Sequence, residues 1–192
     1  MNVANKLSIF RVILIPFFLF FLLANPFAYS NWVAVFIFTV AAITDAIDGN
    51  LARKRNLITN LGKFLDPVAD KLLVCSALIA LIQLEAIPAI AVIIIIAREF
   101  IITFFRTVAA SAGSVIAADK WGKIKTTFQI TMIIYLMVFL EIFDFVLNIL
   151  PFLTAPFFHY LGIVLIWITV FITAYSAFNY IHKNIQVFKE IN

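Results

Sequence analysis

Four aspartates lie close together in a chain that is otherwise very apolar: Asp45, Asp48, Asp66 and Asp70. The first two are three residues apart and the last two are four apart, so each pair shares one face of a helix. Because an aspartate at mid-membrane depth costs about 2.5–3.5 kcal/mol on insertion scales, and like charges repel, we expect a cation beside them. Oxygen ligands suit Mg²⁺ above all, with Mn²⁺ or Ca²⁺ as alternatives. The spacing therefore predicts a metal site; the plainer interpretation is four solvated carboxylates at helix ends.

Basic residues accompany the aspartates on the same side of the predicted helices. Carboxylates that hold two cations, with arginines and lysines nearby, indicate a phosphate-bearing substrate and phosphoryl chemistry. One carboxylate could also deprotonate a nucleophile. Some of the basic residues could instead anchor helix ends at the membrane interface. The candidates for a phosphate contact are Arg106, Lys123, Lys125, Arg98 and Arg11.

Composition places these residues in a membrane protein. The chain has 192 residues, of which 65% are hydrophobic and 12% are charged, whereas about 25% of the residues of a soluble domain are charged. The apolar runs lack the alternation of strands, which favours an all-α, polytopic bundle of six transmembrane helices in a single domain, 1–192. The runs cover 7–24, 32–51, 59 or 60–83, 86–110, 121–143 and 157–180, with a polar loop at 53–63 and an apolar connection at 147–154.

The distribution of charge predicts the orientation of that bundle. With six spans, all fourteen Lys and Arg residues fall in or toward one side. The opposite connections carry Glu85, Glu141 and Asp144 instead. By the positive-inside rule the basic side is cytoplasmic. We therefore expect both termini and the four aspartates at the cytoplasmic face of the cell membrane, in contact with membrane lipids.

A longer pattern surrounds the aspartates. It reads Asp45-x-x-Asp48-Gly49-x-x-Ala52-Arg53, followed by Gly62-x-x-x-Asp66-x-x-x-Asp70. This pattern resembles the signature of the CDP-alcohol phosphatidyltransferases at all eight fixed positions. The segment Asn5-x-Leu7-Ser8-x-x-Arg11 is also similar to the family, with Ser8 in place of the commoner threonine. The resemblance extends over most of the chain.

The resemblance implies a role for each group of residues. The four aspartates would bind Mg²⁺ or Mn²⁺, as two ions, and Asp70 would be the general base. The CDP-lipid would contact Gly49, Ala52, Arg53, Gly62, Asn5 and Ser8. Family members resemble homodimers, and no nucleic acid partner is expected.

The acceptor is the less constrained part of that interpretation. The segments LGKFLDPVADKLLV, REF and GKIKTT are most similar to the branch that transfers phosphatidyl from CDP-diacylglycerol to glycerol 3-phosphate. Phosphatidylglycerol, serine or an inositol phosphate are alternative acceptors within the family. A cation carrier that uses the aspartates for transport and a non-catalytic membrane scaffold are the rivals from other classes.

Overall fold

A computed structural model describes the backbone of residues 3–55, 60–111, 119–149 and 154–189, and the side chains of 7–44, 68–69, 71–111, 119–141 and 157–185. This part of the chain is helical and contains no strand. A short π-helical turn, Phe20–Ala24, follows the first helix. The helices are α1 (Val3–Leu19), α2 (Ser30–Arg55), α3 (Asn60–Gln83), α4 (Ala89–Ser111), α5 (Lys120–Ile149) and α6 (Thr154–Lys189).

The helices form two compact units. The first contains residues 1–86 and 133–155, and the second contains 87–132 and 156–192. In the first unit α1 packs against both α2 and α3. Phe18 of α1 and Phe38 of α2 are fully buried, with ring centroids 5.7 Å apart. Asn31 donates a hydrogen bond of 2.9 Å to the carbonyl of Met137, which joins α2 to the second half of α5 in this unit.

The second unit contains α4, the first half of α5 and most of α6. Its buried residues recur every three or four positions along each helix, which is the spacing of one helix face. Phe105 and Tyr180 pack edge to face, with centroids 5.9 Å apart, and Trp121 packs in the same way on Tyr175 at 4.8 Å. These aromatic contacts pack α6 against α4 and α5 beside the polar groups described below.

The predicted polar loop at 53–63 is wrong over most of its length. Helix α2 continues to Arg55 and α3 begins at Asn60, so the connection is no longer than residues 56–59, which lie outside the described part. Ala52, Arg53 and Lys54 are good helix formers and no breaker interrupts them. The predicted start of α3 at residue 59 or 60 is confirmed.

Helix α3 ends in a Schellman motif that the sequence does not predict. The amide of Ala86 donates to the carbonyl of Leu81, and the amide of Glu85 donates to that of Ile82, both at 2.9 Å. Glu85 consequently has a φ of 57°, a position that usually holds glycine. Pro88 then disfavours helix at the preceding residue, so α4 begins at Ala89 rather than at the predicted residue 86.

The last two helices are longer than predicted. Helix α5 runs to Ile149 and α6 begins at Thr154, so the predicted connection at 147–154 is reduced to residues 150–153, outside the described part. Pro156 lies in the first turn of α6, where its missing N–H needs no partner. At its other end, α6 continues nine residues past the predicted end at Tyr180, to Lys189.

Three stretches among the described residues are long and apolar enough to cross a membrane: Leu7–Ala24, Lys120–Glu141 and Phe157–Ile185. Two shorter apolar stretches are Ser30–Thr44 and Lys71–Gln83. Every 18-residue stretch of α4 contains Arg98, Glu99 and Arg106, and charges of this kind are costly in a lipid environment. Length and composition thus support a membrane protein, while the count of six spans stays a prediction.

Candidate functional site

The aspartate motif spans two helices of the first unit. Asp45 and Asp48 lie in the second half of α2, and Asp66 and Asp70 lie in the first half of α3. Both helices pack on α1 and contact each other. The side chains of these aspartates lie outside the described part, as do those of Asn5, Ala52 and Arg53, and Gly49 and Gly62 are placed by backbone alone.

The composition of this cluster fits a divalent cation. Four carboxylates at spacings of three and four, on two helices that contact each other, are hard oxygen ligands of the kind that such a cation prefers. No group of three or more metal-ligating side chains occurs among the side chains that the structure describes. That the four aspartates hold a metal stays a prediction from the sequence.

The buried face of α1 has polar residues at the end nearest the N-terminus. It consists of Ser8, Arg11, Ile15 and Phe18, spaced three or four residues apart, and Leu22 of the following π-helical turn continues it; all are under 9% exposed. Because α1 packs on α2 and α3, this face points toward the helices that carry the aspartates. The structure therefore places Ser8 and Arg11 inside the unit that contains the motif, and their contact with a substrate stays a prediction.

The second unit contains a buried ion network, formed by Arg98, Glu99, Lys125 and Ser176. Arg98 donates to Glu99 over 3.1 Å between Nη1 and Oε1, and the ammonium of Lys125 contacts the same Glu99 oxygen. Arg98 also donates through Nη2 to the Ser176 hydroxyl at 2.7 Å. One carboxylate oxygen thus joins two cations from different helices of this unit.

The two lysines of the GKIKTT segment have different environments. Lys125 is 2% exposed and belongs to the ion network, whereas Lys123 lies exposed on another face of α5. Residues two apart on a helix do not share a face, which explains the difference. The β-carbon position of Gly122 would lie 3.9 Å from Arg98 Nη2, so the segment passes directly beside the network.

Arg106 is exposed and has an aromatic partner. Its Nε donates to the hydroxyl of Tyr180 at 3.0 Å, and its guanidinium carbon lies 5.1 Å from the centroid of the same ring. A stacked guanidinium is held in one orientation while its terminal nitrogens stay available to an anion. Arg106 is thus oriented at the surface by Tyr180, whereas Arg98 and Lys125 are held inside the bundle by Glu99.

Asp119 fixes the start of α5. Its carboxylate accepts from the amide of Lys120 and from the side-chain amide of Asn179, each at 2.8 Å. Lys183 lies 3.9 Å from the same carboxylate. A carboxylate at a helix N-terminus satisfies an orphan N–H and interacts favourably with the helix dipole. These contacts tie the first turn of α5, and with it the GKIKTT segment, to α6.

Two buried polar atoms beside the network lack a hydrogen-bond partner among the described residues. They are Oε1 of Gln129, four residues after Lys125, and Oγ1 of Thr173, three residues before Ser176. Both residues are at most 2% exposed. Buried polar atoms are normally satisfied by protein or by ordered water. These two atoms are the polar groups beside the network whose hydrogen bonds the described residues do not supply.

Comparison with known proteins decides the family. Residues 1–177 match the family model described as CDP-alcohol phosphatidyltransferase. The chain belongs to the CDP-alcohol phosphatidyltransferase family. It is 40% identical over its full length to CDP-diacylglycerol--glycerol-3-phosphate 3-phosphatidyltransferase of Bacillus subtilis (strain 168), covering 99% of that protein. The proteins of the same name from Haemophilus influenzae and Escherichia coli K12 are 46% and 43% identical over 67% and 71% of this chain, and the matches cover 71% and 76% of those proteins.

Membership of the phosphatidyltransferase family favours the transferase interpretation over a carrier or a scaffold.

The sequence predicted some residues of the candidate site and missed others. The motif aspartates, Arg98 and Lys125 stood out because charges are rare in this chain. Glu99, Ser176 and Tyr180 were not among the predicted site residues. Serine and tyrosine in an apolar helix carry no signal of their own, so only the packing of α6 against α4 shows their partners.

Proposed function

We propose that this chain transfers a phosphatidyl group from CDP-diacylglycerol to glycerol 3-phosphate, giving phosphatidylglycerophosphate and CMP. The observation that carries this proposal is the 40% identity over the full chain to a relative named for that reaction. The shorter matches at 46% and 43% identity carry the same name. The aspartates at the family's spacing and the two buried cations of the second unit supply the chemistry that the reaction needs.

In the proposed reaction the acceptor hydroxyl attacks the phosphorus that bears the diacylglycerol. The new bond joins the acceptor oxygen to phosphorus, the bond from phosphorus to the CMP oxygen breaks, and Asp70 takes the hydroxyl proton. Asp45, Asp48, Asp66 and Asp70 would hold Mg²⁺ or Mn²⁺, as two ions. When bound, those cations neutralise charge on the pyrophosphate and on the leaving CMP. Gly49, Ala52 and Arg53, with Gly62, Asn5 and Ser8, would line the CDP-lipid site.

The acceptor carries a phosphate of its own, and cations must bind it. Arg98 and Lys125 are the strongest candidates because they are buried close together on one carboxylate oxygen. Arg106 is a further candidate, since Tyr180 orients it while leaving it exposed. Lys123 and Arg11 are the other candidates. Charge-assisted hydrogen bonds from such groups distinguish glycerol 3-phosphate from a neutral acceptor such as serine.

The proposed setting is the cell membrane, with several spans, a cytoplasmic active site and a homodimeric assembly. The supporting observations are three stretches that can cross a membrane and the grouping of basic residues on one side of the predicted spans. The dimer rests on the family resemblance. Light scattering of the protein in detergent tests it, and a monomeric mass would remove the dimer from the proposal.

The decisive experiment is CMP release by the purified protein in detergent with CDP-diacylglycerol and Mg²⁺. Glycerol 3-phosphate, glycerol, serine, an inositol phosphate and phosphatidylglycerol are compared as acceptors. We expect turnover with glycerol 3-phosphate only, and its loss on chelation of the divalent cation. Turnover with another acceptor alone would refute the acceptor assignment. No CMP with any acceptor, in folded protein, would refute the transferase.

A further inference from the structure

The carboxylate of Glu99 connects the two cations of the ion network in the second unit. Its Oε1 accepts from Arg98 of the same helix and from Lys125 of α5, which lies 26 residues further along the chain. Side-chain exposure is 20% for Glu99, 11% for Arg98 and 3% for Lys125. The most deeply buried cation is thus held by the most accessible member of the network.

Two cations that lie side by side at this depth need a negatively charged group to hold them together. Like charges repel strongly where water is scarce. Glu99 joins both side chains through one shared oxygen. The hydroxyl of Ser176 holds the other end of the Arg98 guanidinium at 2.7 Å. Both cations are thereby fixed before any anion arrives.

We propose that Glu99 is a positioning residue for the acceptor phosphate, acting through Lys125 and Arg98, with Ser176 as a secondary support of Arg98. This inference rests on the proposed function. It assigns Glu99 no contact with the reacting atoms. Without its charge the shared oxygen holds Lys125 and Arg98 less tightly, so the phosphate no longer meets them as a fixed pair.

The geometry also defines the opposite possibility, which the test must separate. Because Glu99 is the most accessible of the three charged residues, its carboxylate could occupy the place of the acceptor phosphate and compete with it. Positioning and competition predict opposite changes in the acceptor KM when the charge is removed. Glutamine keeps the shape and an oxygen acceptor but removes the charge, so Glu99→Gln is the variant that separates them.

The experiment measures KM for glycerol 3-phosphate, KM for CDP-diacylglycerol and kcat in Glu99→Gln, Glu99→Asp and wild type, with Glu85→Gln as a matched control at an exposed carboxylate. For Glu99→Gln we expect the acceptor KM to rise about tenfold or more while kcat and the CDP-diacylglycerol KM change little, which is the pattern of lost acceptor binding. Glu99→Asp, which keeps the charge on a shorter side chain, should recover part of the loss. Glu85→Gln should leave all three values unchanged.

A double-mutant cycle covers the case in which a variant is unstable. Glu99→Gln is combined with Lys125→Gln, and if Glu99 acts through Lys125 the second change should have little further effect on the acceptor KM. Ser176→Ala should raise the acceptor KM about threefold, less than Glu99→Gln, because it removes one neutral hydrogen bond to Arg98.

The outcomes separate this inference from the function on which it rests. If wild type shows no turnover with glycerol 3-phosphate, the proposed function fails. If wild type turns over and Glu99→Gln leaves the acceptor KM unchanged, or the two variants are additive in the cycle, the positioning role fails alone. An acceptor KM that falls in Glu99→Gln overturns positioning in favour of competition.

Discussion

Lys125 and Arg106 illustrate how burial changes the value of a charge. Lys125 is 2% exposed and lies in the ion network, while Arg106 is exposed and stacked on Tyr180. An interaction between charges is stronger where water is excluded, and salt screens it less there. If both residues contact the acceptor phosphate, they should therefore contribute differently.

We expect Lys125→Gln to raise the acceptor KM more than Arg106→Gln does. The Arg106 effect should shrink when the ionic strength is raised from about 0.05 M to 0.5 M, because the Debye length shortens over that range, and the Lys125 effect should persist. Acceptor titrations of both variants at the two salt concentrations measure this. Equal losses with equal salt dependence would contradict the ranking.

Asp70 can be separated from the other aspartates by what its replacement leaves intact. Asp70→Asn removes the proposed base but keeps an oxygen for a metal, so turnover should be lost while CDP-diacylglycerol binding largely survives. Binding of the CDP-lipid to catalytically silent protein, measured with Asp45→Asn alongside, tests this. If binding is lost equally in the two variants, Asp70 acts as a metal ligand and not as the base.

The sequence predicted which residues are candidates for the site better than it predicted which residues they contact. Four aspartates, Arg98 and Lys125 are conspicuous in a chain that is only 12% charged, because a charge in an apolar helix needs a reason. The pairing of Lys125 with Glu99 depends instead on how α4 meets α5. Lys125 is buried and Lys123 is not because residues two apart lie on different faces of a helix. The spacing of the two lysines can be read from the sequence, but the structure is needed to show which of them meets Glu99.

At the scale of the helices, the sequence located the apolar centres well and the ends poorly. Apolar length marks where a helix must be, whereas helix ends are decided by local hydrogen bonds. Helices α2 and α6 extend through polar segments because nothing in them breaks a helix. Helix α3 ends at Gln83 because Glu85 adopts a left-handed conformation. Glycine usually occupies such a position, so a glutamate there does not predict the end of a helix.

The end of α3 offers a test of that local energetics. Glu85→Gly should raise stability by about 0.5–1 kcal/mol, because glycine adopts a positive φ without the cost that a β-carbon brings. Glu85→Ala is the matched control, since it removes the carboxylate but keeps the β-carbon. Thermal unfolding in detergent should rank glycine above alanine. The same midpoint for both variants would show that the turn stores no strain.

At the scale of the whole molecule, the distribution of charge predicts the orientation in the membrane. All fourteen basic residues fall in or toward one side of the predicted spans, and such residues are retained in the cytoplasm. Segments of the two units alternate along the chain. The single domain expected from the sequence stays a prediction.

We expect a fluorescent protein fused after Asn192 to fluoresce and alkaline phosphatase fused there to be inactive, because both termini should be cytoplasmic. Fusions at the connection between α1 and α2, near Asn25, should give the reverse result. Phosphatase activity at the C-terminus would overturn the prediction that both termini are cytoplasmic, and with a cytoplasmic N-terminus it would require an odd number of crossings.

The length of α6 has a consequence for the lipids around the protein. Its apolar stretch, Phe157–Ile185, has 29 residues, which at about 1.5 Å per residue is roughly 43 Å, against a hydrocarbon core of about 30 Å. The helix must tilt strongly or extend beyond the core, and each adjustment depends on bilayer thickness. We therefore expect an enzyme that contains such a helix to be sensitive to the acyl-chain length of the membrane whose lipids it makes.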